Sequence, residues 1–201
     1  MIGIKLTHAQ LDMFREIGSI AGGRFAKSMS AMVGSRVDIT VPEVLIEAVE
    51  KVAELLGKRE QISSMVCLAV KGHVSGNVLV VVPFSESLRF VDVLTGRDPG
   101  ESAGLDEMGI SALKELGNIT GGAYINALSE MTALKIKFSI PKLILDVPGD
   151  VLPGILTGGT ENEGYVVIIK TAFTVEKNEQ SGNIVFILGA ETLEMLSGCG
   201  K

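Results

Sequence analysis

Three residues in the first half of this chain recur in the second half at one fixed offset. Each pair is separated by 99 residues, and the pairs are Glu16 and Glu115, Gly18 and Gly117, and Pro42 and Pro141. Ser75-Gly76-Asn77 also recurs as Ser181-Gly182-Asn183, with an offset of 106 residues. A fixed offset over most of a chain indicates internal repetition. The sequence therefore predicts a single domain of 201 residues that is built of two repeats, at about 8–96 and 105–198, with a linker at 97–104.

The predicted elements follow the same order in both repeats: a long helix, a strand that contains a proline, a short element, a β-hairpin and a closing helix. The long helices are expected at Ala9 to Val33 and Leu105 to Leu134, a short helix at Glu47 to Leu56, and closing helices at Ser85 to Leu94 and Glu191 to Leu196. Hairpins beside helices favour an α+β fold, in which helices cover one side of mostly antiparallel strands. We expect an internally duplicated, pseudo-two-fold arrangement, with a central, mostly antiparallel sheet and the two long helices on its outer face.

Composition excludes several classes of protein. The net charge of −6 and the lack of a basic run argue against a nucleic-acid partner. The longest apolar runs, such as Val78 to Phe84, are far shorter than the roughly 18 residues that span a membrane. The N-terminus lacks the features of a signal peptide, and Cys67 and Cys199 have no metal-ligand spacing. We predict a cytoplasmic protein without membrane insertion or a metal site of its own.

The second long helix carries an unusual polar face. Ser111, Glu115, Asn118 and Gly122 are spaced 4, 3 and 4 residues apart, which places them on one side of a helix. Solvated helix faces usually carry pairs of Lys and Glu, whereas this face has one acid, one amide and small residues. It is typical of a contact surface. The neighbouring stripe is expected to be buried and consists of Leu105, Met108, Ala112, Leu116, Ile119 and Ala123.

The polar face is part of a longer motif. In the second half, Ser111 is followed by Glu115 and Asn118, and then by 22 residues and Pro141. The first half has the same spacing in Asp12, Glu16, Ser19 and Pro42. This pattern resembles the CheC family, the phosphatases of the chemotaxis response regulator CheY, whose motif is Asp or Ser, Glu, Asn and Pro at these intervals. The second half fits throughout, and the first half departs from the pattern only at Ser19.

The resemblance implies an aspartyl-phosphate phosphatase, a hydrolase of chemotactic signal transduction that acts on a phosphorylated CheY-like regulator. It gives Asn118 the task of orienting the attacking water and Glu115 that of anchoring the partner through its active-site lysine. Ser111, Gly121 and Gly122 are expected to contact the partner. Any Mg²⁺ is expected on the partner, and the protein is expected to need no cofactor of its own. The residues Asp12, Glu16 and Ser19 would form a degenerate second site, because a serine hydroxyl is shorter than an amide and lacks its paired donor and acceptor.

Some features have two interpretations at this stage. Gly117, Gly121 and Gly122 each cost about 1 kcal/mol in a helix relative to Ala, which either tight packing or close approach of a partner could justify.

Methionines at helical spacing, including Met29, Met32 and Met108, are expected to pack in the core.

The segment from Asp146 to Glu163 contains two prolines and several glycines, and we expect a linker or turn there. In the CheC family the corresponding region contributes a helix that binds the receptor deamidase CheD. CheD is therefore a further candidate partner, through Asp150 to Leu156.

The alternative function is a non-catalytic interaction module that binds phosphorylated CheY, CheD or the flagellar switch. The related middle domain of the switch protein FliM lacks the phosphatase residues. Glu115 with Asn118 favours the enzyme, whereas Ser19 in place of Asn and the altered CheD region keep this alternative open.

Overall fold

The computed structural model describes residues 6–56, 61–156, 164–176, 180–189 and Thr192. In the first half the elements are α1 (His8–Val33), β1 (Val37–Ile39), β2 (Glu43–Ala48), a 3₁₀ turn (Val49–Lys51), α2 (Val52–Leu55), β3 (Ser63–Gly72), β4 (Gly76–Pro83) and α3 (Phe84–Thr95). In the second half they are α4 (Glu107–Thr132), β5 (Ile136–Phe138), β6 (Lys142–Asp146), α5 (Pro148–Leu156), β7 (Tyr165–Val175) and β8 (Gln180–Gly189). The predicted helix from Glu191 to Leu196 lies outside the described residues except for Thr192.

All eight strands form one antiparallel sheet. Its order is β1-β7-β8-β4-β3-β5, with β2 also paired to β7 and β6 also paired to β3. The edge strands of each half therefore pair with a hairpin strand of the other half. Because of this exchange, neither half contains the neighbours that its own edge strands pair with. The predicted α+β fold, with an antiparallel sheet and two long helices on one face, is confirmed. The internal duplication stays a prediction.

The sheet is buried on both faces, which goes beyond the expectation that helices cover one side. Helices α1, α3 and α4 pack on one face, where they meet alternate strand residues such as Val66, Leu68 and Val70. Helices α2 and α5 cover the opposite face, where Met65 and Cys67 point. Strands that are buried on both faces are expected to be apolar throughout, and this explains the long apolar runs of β3, β4, β7 and β8.

The expectation of a linker from Asp146 to Glu163 is wrong for its first part, because helix α5 spans Pro148–Leu156. A proline in the first turn loses no internal hydrogen bond, so Pro148 can begin the helix. Pro153 removes one bond inside it. Leu152 is fully buried against the sheet, and this burial offsets the loss. Another boundary also differs from the prediction: Glu47 and Ala48 pair with β7 as part of β2 instead of beginning a helix.

The repeated Gly and Pro residues meet where the long helices touch the sheet. A Cβ on Gly18 would lie 2.7 Å from Cβ of Pro42, and one on Gly117 would clash with Val66 and lie 3.4 Å from Cβ of Pro141. Only a residue without a side chain lets the helix approach the strands this closely. The glycine and the proline of the motif are therefore the two sides of one helix–sheet contact, which occurs once in each half.

We predict that Gly117→Ala lowers the free energy of unfolding by about 1–3 kcal/mol, because the added methyl group overpacks the contact with β3. In urea unfolding this variant should have a lower midpoint than the wild-type chain, with an unchanged slope.

Gly122→Ala is the matched control, since a Cβ at Gly122 meets nothing within 4 Å. The same substitution there should raise the free energy of unfolding by up to about 1 kcal/mol through helix propensity alone. Equal destabilisation at the two positions would contradict the packing role of Gly117.

Candidate functional site

Helix α4 begins at a firmly capped end. The Asp106 carboxylate accepts a hydrogen bond of 2.8 Å from the Gly109 backbone N–H, and Arg97 binds its other oxygen at 2.5 Å. The bond from Gly109, followed by the bond from Arg97, holds the pKa of Asp106 below its usual range. A carboxylate at this end also interacts favourably with the helix dipole.

The segment before α4, predicted as a linker, is held by the buried carboxylate of Asp92. Only 1% of Asp92 is exposed, and its two oxygens accept backbone N–H bonds from Gly100 at 2.8 Å and Ser102 at 2.9 Å. Burial by itself raises the pKa of Asp92, but hydrogen bonds from Ser102 and Gly100 outweigh it, so the pKa lies below its usual range. The loop and the start of α4 are thereby fixed to α3.

The polar face of α4 points away from the sheet. Ser111 and Glu115 are exposed, and Asn118 and Gly122 are partly exposed. By contrast, Gly121 is buried, and a Cβ there would lie 2.9 Å from Leu68. This corrects the expectation that Gly121 lies on the contact face with Ser111 and Gly122. Tight packing is the reason for glycine at positions 117 and 121, whereas position 122 is open.

The buried stripe of α4 also differs from the predicted one. Of the six predicted residues, only Leu116 and Ala123 are buried, and Met108 is 59% exposed. The helix instead buries Leu113, Leu116, Gly117, Thr120, Gly121 and Tyr124. Hydropathy patterns favour large apolar side chains, whereas this helix turns Gly117 and Gly121 toward the sheet. The glycines spaced at helical intervals were the signal that could have located the true stripe.

Glu115 and Asn118 are joined by a hydrogen bond. The amide nitrogen Nδ2 of Asn118 donates to Oε2 of Glu115 at 3.0 Å. The bond fixes the amide plane and leaves Oδ1 and one amide hydrogen for other partners. Within the described residues, no other hydrogen bond holds this side chain. The pair therefore offers an oriented acceptor next to an exposed carboxylate.

The equivalent positions of α1 are arranged differently. Asp12, Glu16 and Ser19 are all exposed, so the structure places them on one accessible face. However, the Ser19 hydroxyl donates to the backbone oxygen of Arg15 at 2.9 Å, and the Arg15 guanidinium lies 3.9 Å from Asp12. The hydroxyl is thus bonded back to its own helix, as serine often is in helices, and it does not contact Glu16.

A groove lies beside Glu115 that the sequence analysis missed. It has a volume of about 370 Å³ and lies between α4, α3 and α1; its lining residues are Met32, Leu94, Thr95, Met108, Ser111, Ala112 and Glu115. We call it the methionine groove. The expectation that the methionines pack in the core is right for Met29, which is fully buried, and wrong for Met32 and Met108, which are 40% and 59% exposed.

The described part of the chain contains no group of three or more His, Cys, Asp or Glu side chains that could hold a metal ion. Among the same residues, no helix is both long enough and apolar enough to span a bilayer.

We predict that Asp92→Asn lowers the free energy of unfolding by about 1–3 kcal/mol at pH 7, because the loop N–H groups lose a charged acceptor. A depressed carboxyl pKa contributes stability above the unfolded pKa of about 3.9, and this contribution is lost as the pH falls through the folded value. The difference between wild type and variant, measured by urea unfolding, should therefore shrink below about pH 4.

Asp98→Asn is the control, since Asp98 is an exposed carboxylate of the same loop. It should leave stability nearly unchanged at both pH values. A wild-type advantage over Asp92→Asn that stays constant from pH 7 to pH 3 would contradict the role given to the Asp92 carboxylate.

Known proteins resemble this chain in sequence. Residues 108–145, which contain the whole motif from Ser111 to Pro141, match the model of the CheC-like family. The chain is 28% identical over 180 residues to the CheY-P phosphatase CheC of Bacillus subtilis (strain 168), covering 89% of this chain and 85% of that protein. It is 30% identical over 144 residues to the flagellar motor switch phosphatase FliY of the same organism, covering 71% of this chain and 37% of FliY.

Solved structures share the fold. The crystal structure of Thermotoga maritima FliY superposes with a TM-score of 0.76 at 24% identity, covering 97% of each chain. A chain of the CheX–CheY–BeF3–Mg²⁺ complex from Borrelia burgdorferi superposes with a TM-score of 0.55 at 14% identity, covering 89% of this chain and 97% of that one. This chain is therefore homologous to the CheY-P phosphatase CheC and to part of the flagellar motor switch phosphatase FliY, and its residues 108–145 match the CheC-like family.

Proposed function

We propose that this protein hydrolyses the phosphoryl-aspartate of a CheY-like response regulator and so ends or adapts a chemotaxis signal. The observation that carries the proposal is the hydrogen-bonded pair of Glu115 and Asn118 on an exposed helix face, inside the segment that matches the CheC-like family. The names of the CheC and FliY relatives support it. Such a partner would place the activity in the cytoplasm.

Asn118 orients the attacking water. In the reaction, the water oxygen bonds to phosphorus, and the bond between phosphorus and the aspartate oxygen breaks. Both water protons stay with the phosphate product, and the carboxylate is regenerated. Phosphoryl transfer of this kind needs positioning more than covalent catalysis. An amide suits this task because it accepts and donates hydrogen bonds without titrating.

Glu115 anchors the partner. Its Oε2 holds the Asn118 amide, which leaves Oε1 for the active-site lysine of the regulator in a charge-assisted bond. One carboxylate would thus connect partner binding to the orientation of the water-binding amide. Ser111 and Gly122 lie on the same accessible face and complete the contact.

The metal ion in this proposal belongs to the regulator. A Mg²⁺ held there would neutralise charge on the transferred phosphoryl group. The fold relative from Borrelia burgdorferi was solved in a complex that contains CheY, BeF3 and Mg²⁺.

A second candidate function is binding without hydrolysis. Helix α5 favours it, because the helix forms despite its internal proline and leaves Asp150 and Gly154 exposed. Binding of CheD through Asp150 to Leu156 stays a prediction. Measuring the decay of phosphorylated CheY with and without the protein distinguishes binding alone from phosphatase activity.

We predict that Asn118→Ala lowers the stimulated rate of CheY dephosphorylation by about 100-fold or more, since a misplaced water costs rates of this order. The measurement is the decay of CheY that was phosphorylated with a small-molecule donor and then freed of it. Ser19→Ala, at the equivalent position of α1, should change the rate less than twofold. Equal losses from the two substitutions would contradict the single competent site.

We predict that Glu115→Gln raises KM for phosphorylated CheY about tenfold, which corresponds to a loss of about 1.4 kcal/mol of binding free energy. The glutamine oxygen can still accept the Asn118 amide hydrogen, so kcat should fall much less than in Asn118→Ala.

Raising the salt concentration should increase KM for the wild-type protein, because salt screens the exposed ion pair. It should change KM for the variant much less. A glutamine variant with the wild-type salt dependence would rule out Glu115 as the charged anchor.

A further inference from the structure

We infer that the methionine groove is a docking site for the response regulator: it receives an apolar side chain of that partner and sets the affinity of the complex. The identification of the response regulator as the partner rests on the proposed function. The groove itself follows from the exposure and placement of its own residues.

The groove exposes apolar surface that a folded chain usually buries. Met32 of α1 and Met108 of α4 are 40% and 59% exposed, and they flank the half-buried Leu94 of α3. Apolar surface gathered from three elements marks an interaction site more often than scattered single residues do. Methionine is also common at such surfaces, because its flexible thioether adapts to the shape of a partner.

The groove is continuous with the proposed active face. Ser111 and Glu115 line the groove, and they are also part of the polar face. Met108 precedes Glu115 by seven residues, which is about two helical turns, or about 10 Å along α4. A regulator whose lysine meets Glu115 therefore covers the groove. The chemistry required of the partner is an aliphatic or aromatic side chain about 10 Å from its active-site cation.

The groove wall is held in place before any partner binds. The guanidinium nitrogen Nη2 of Arg97 lies 4.0 Å from Sδ of Met108 and also binds Asp106. Arg97 bonds to Ser102 as well, which is tied to Asp92. An ordered wall reduces the entropy that docking would otherwise cost.

The two halves of the chain differ at this groove as they do at the amide. The offset of 99 residues relates Met32 to Met131, which is 37% exposed. It relates Met108 to Ala9. Met108 and Asn118 are therefore both present in α4, and the counterparts of both are missing from α1. The apolar contact and the water-orienting amide thus occur in the same half.

The test compares binding with catalysis in matched variants. The probe is CheY encoded in the same genome, activated with beryllium fluoride and Mg²⁺ for binding and phosphorylated for kinetics. Met108→Ala and Met32→Ala should each raise Kd and KM about fivefold, because each removes buried apolar contact. The kcat at saturating CheY should change less than twofold, since Met32 and Met108 are not part of the proposed catalytic pair of Glu115 and Asn118. Met108→Leu should keep the wild-type Kd.

Met131→Ala is the matched control, because Met131 is 37% exposed and is the counterpart of Met32 at the offset of 99 residues, but it does not line the groove. It should leave Kd unchanged. An unchanged Kd for Met108→Ala and Met32→Ala, or an equal increase for Met131→Ala, overturns the groove inference while leaving the phosphatase proposal intact.

A different result would overturn the proposed function. If the wild-type protein binds activated CheY but does not speed its dephosphorylation, the phosphatase proposal is overturned and the variants still decide the groove. If the wild-type protein does not bind CheY, both fall together.

Discussion

The contact between α4 and the sheet at Gly117 is the constraint on which the rest of the site depends. Because Gly117 faces Val66 and Pro141 with no side chain between them, the helix lies close to β3 and its rotation about its own axis is determined. Successive residues of a helix are rotated by about 100°. With Gly117 turned to the strands, Asn118 emerges on the flank of the helix and Glu115 lies farther round, toward the methionine groove. The absence of a side chain at Gly117 thus sets the positions of Glu115 and Asn118.

The exchanged edge strands connect the two halves of the sheet on which α4 lies. β5 and β6, which follow α4, pair with β3 of the first half, while β1 and β2 pair with β7 of the second half. Arg24 of α1 forms two bonds with Glu130 of α4, at 3.0 and 2.6 Å, and the buried Tyr124 hydroxyl lies 3.2 Å from that of Thr171 in β7. The polar face therefore stands on an element that is connected to both halves, and sites on such elements keep their geometry better than sites on loops.

The two halves share a scaffold and differ in chemistry. Glycine, glutamate and proline occupy equivalent places in both, and the same helix–sheet contact follows. The halves differ at two solvent-facing positions. The Asn118 amide is bonded to Glu115, whereas the Ser19 hydroxyl is bonded to its own helix. Met108 in the second half corresponds to Ala9 in the first. Solvent-facing positions can change without disturbing the core, so the two halves can differ there while both keep the fold.

The sequence by itself determined the α+β class, the long helices and the polar face with Glu115 and Asn118, because helical periodicity and the fixed offset are properties of the residue order alone. Three features were decided only by the tertiary structure. Helix α5 forms because Leu152 finds a buried place on the sheet. Gly121 is buried because packing selected small residues that a hydropathy pattern ignores. The methionine groove exists because α1, α3 and α4 converge, and a surface made by elements distant in sequence leaves no pattern in any one of them.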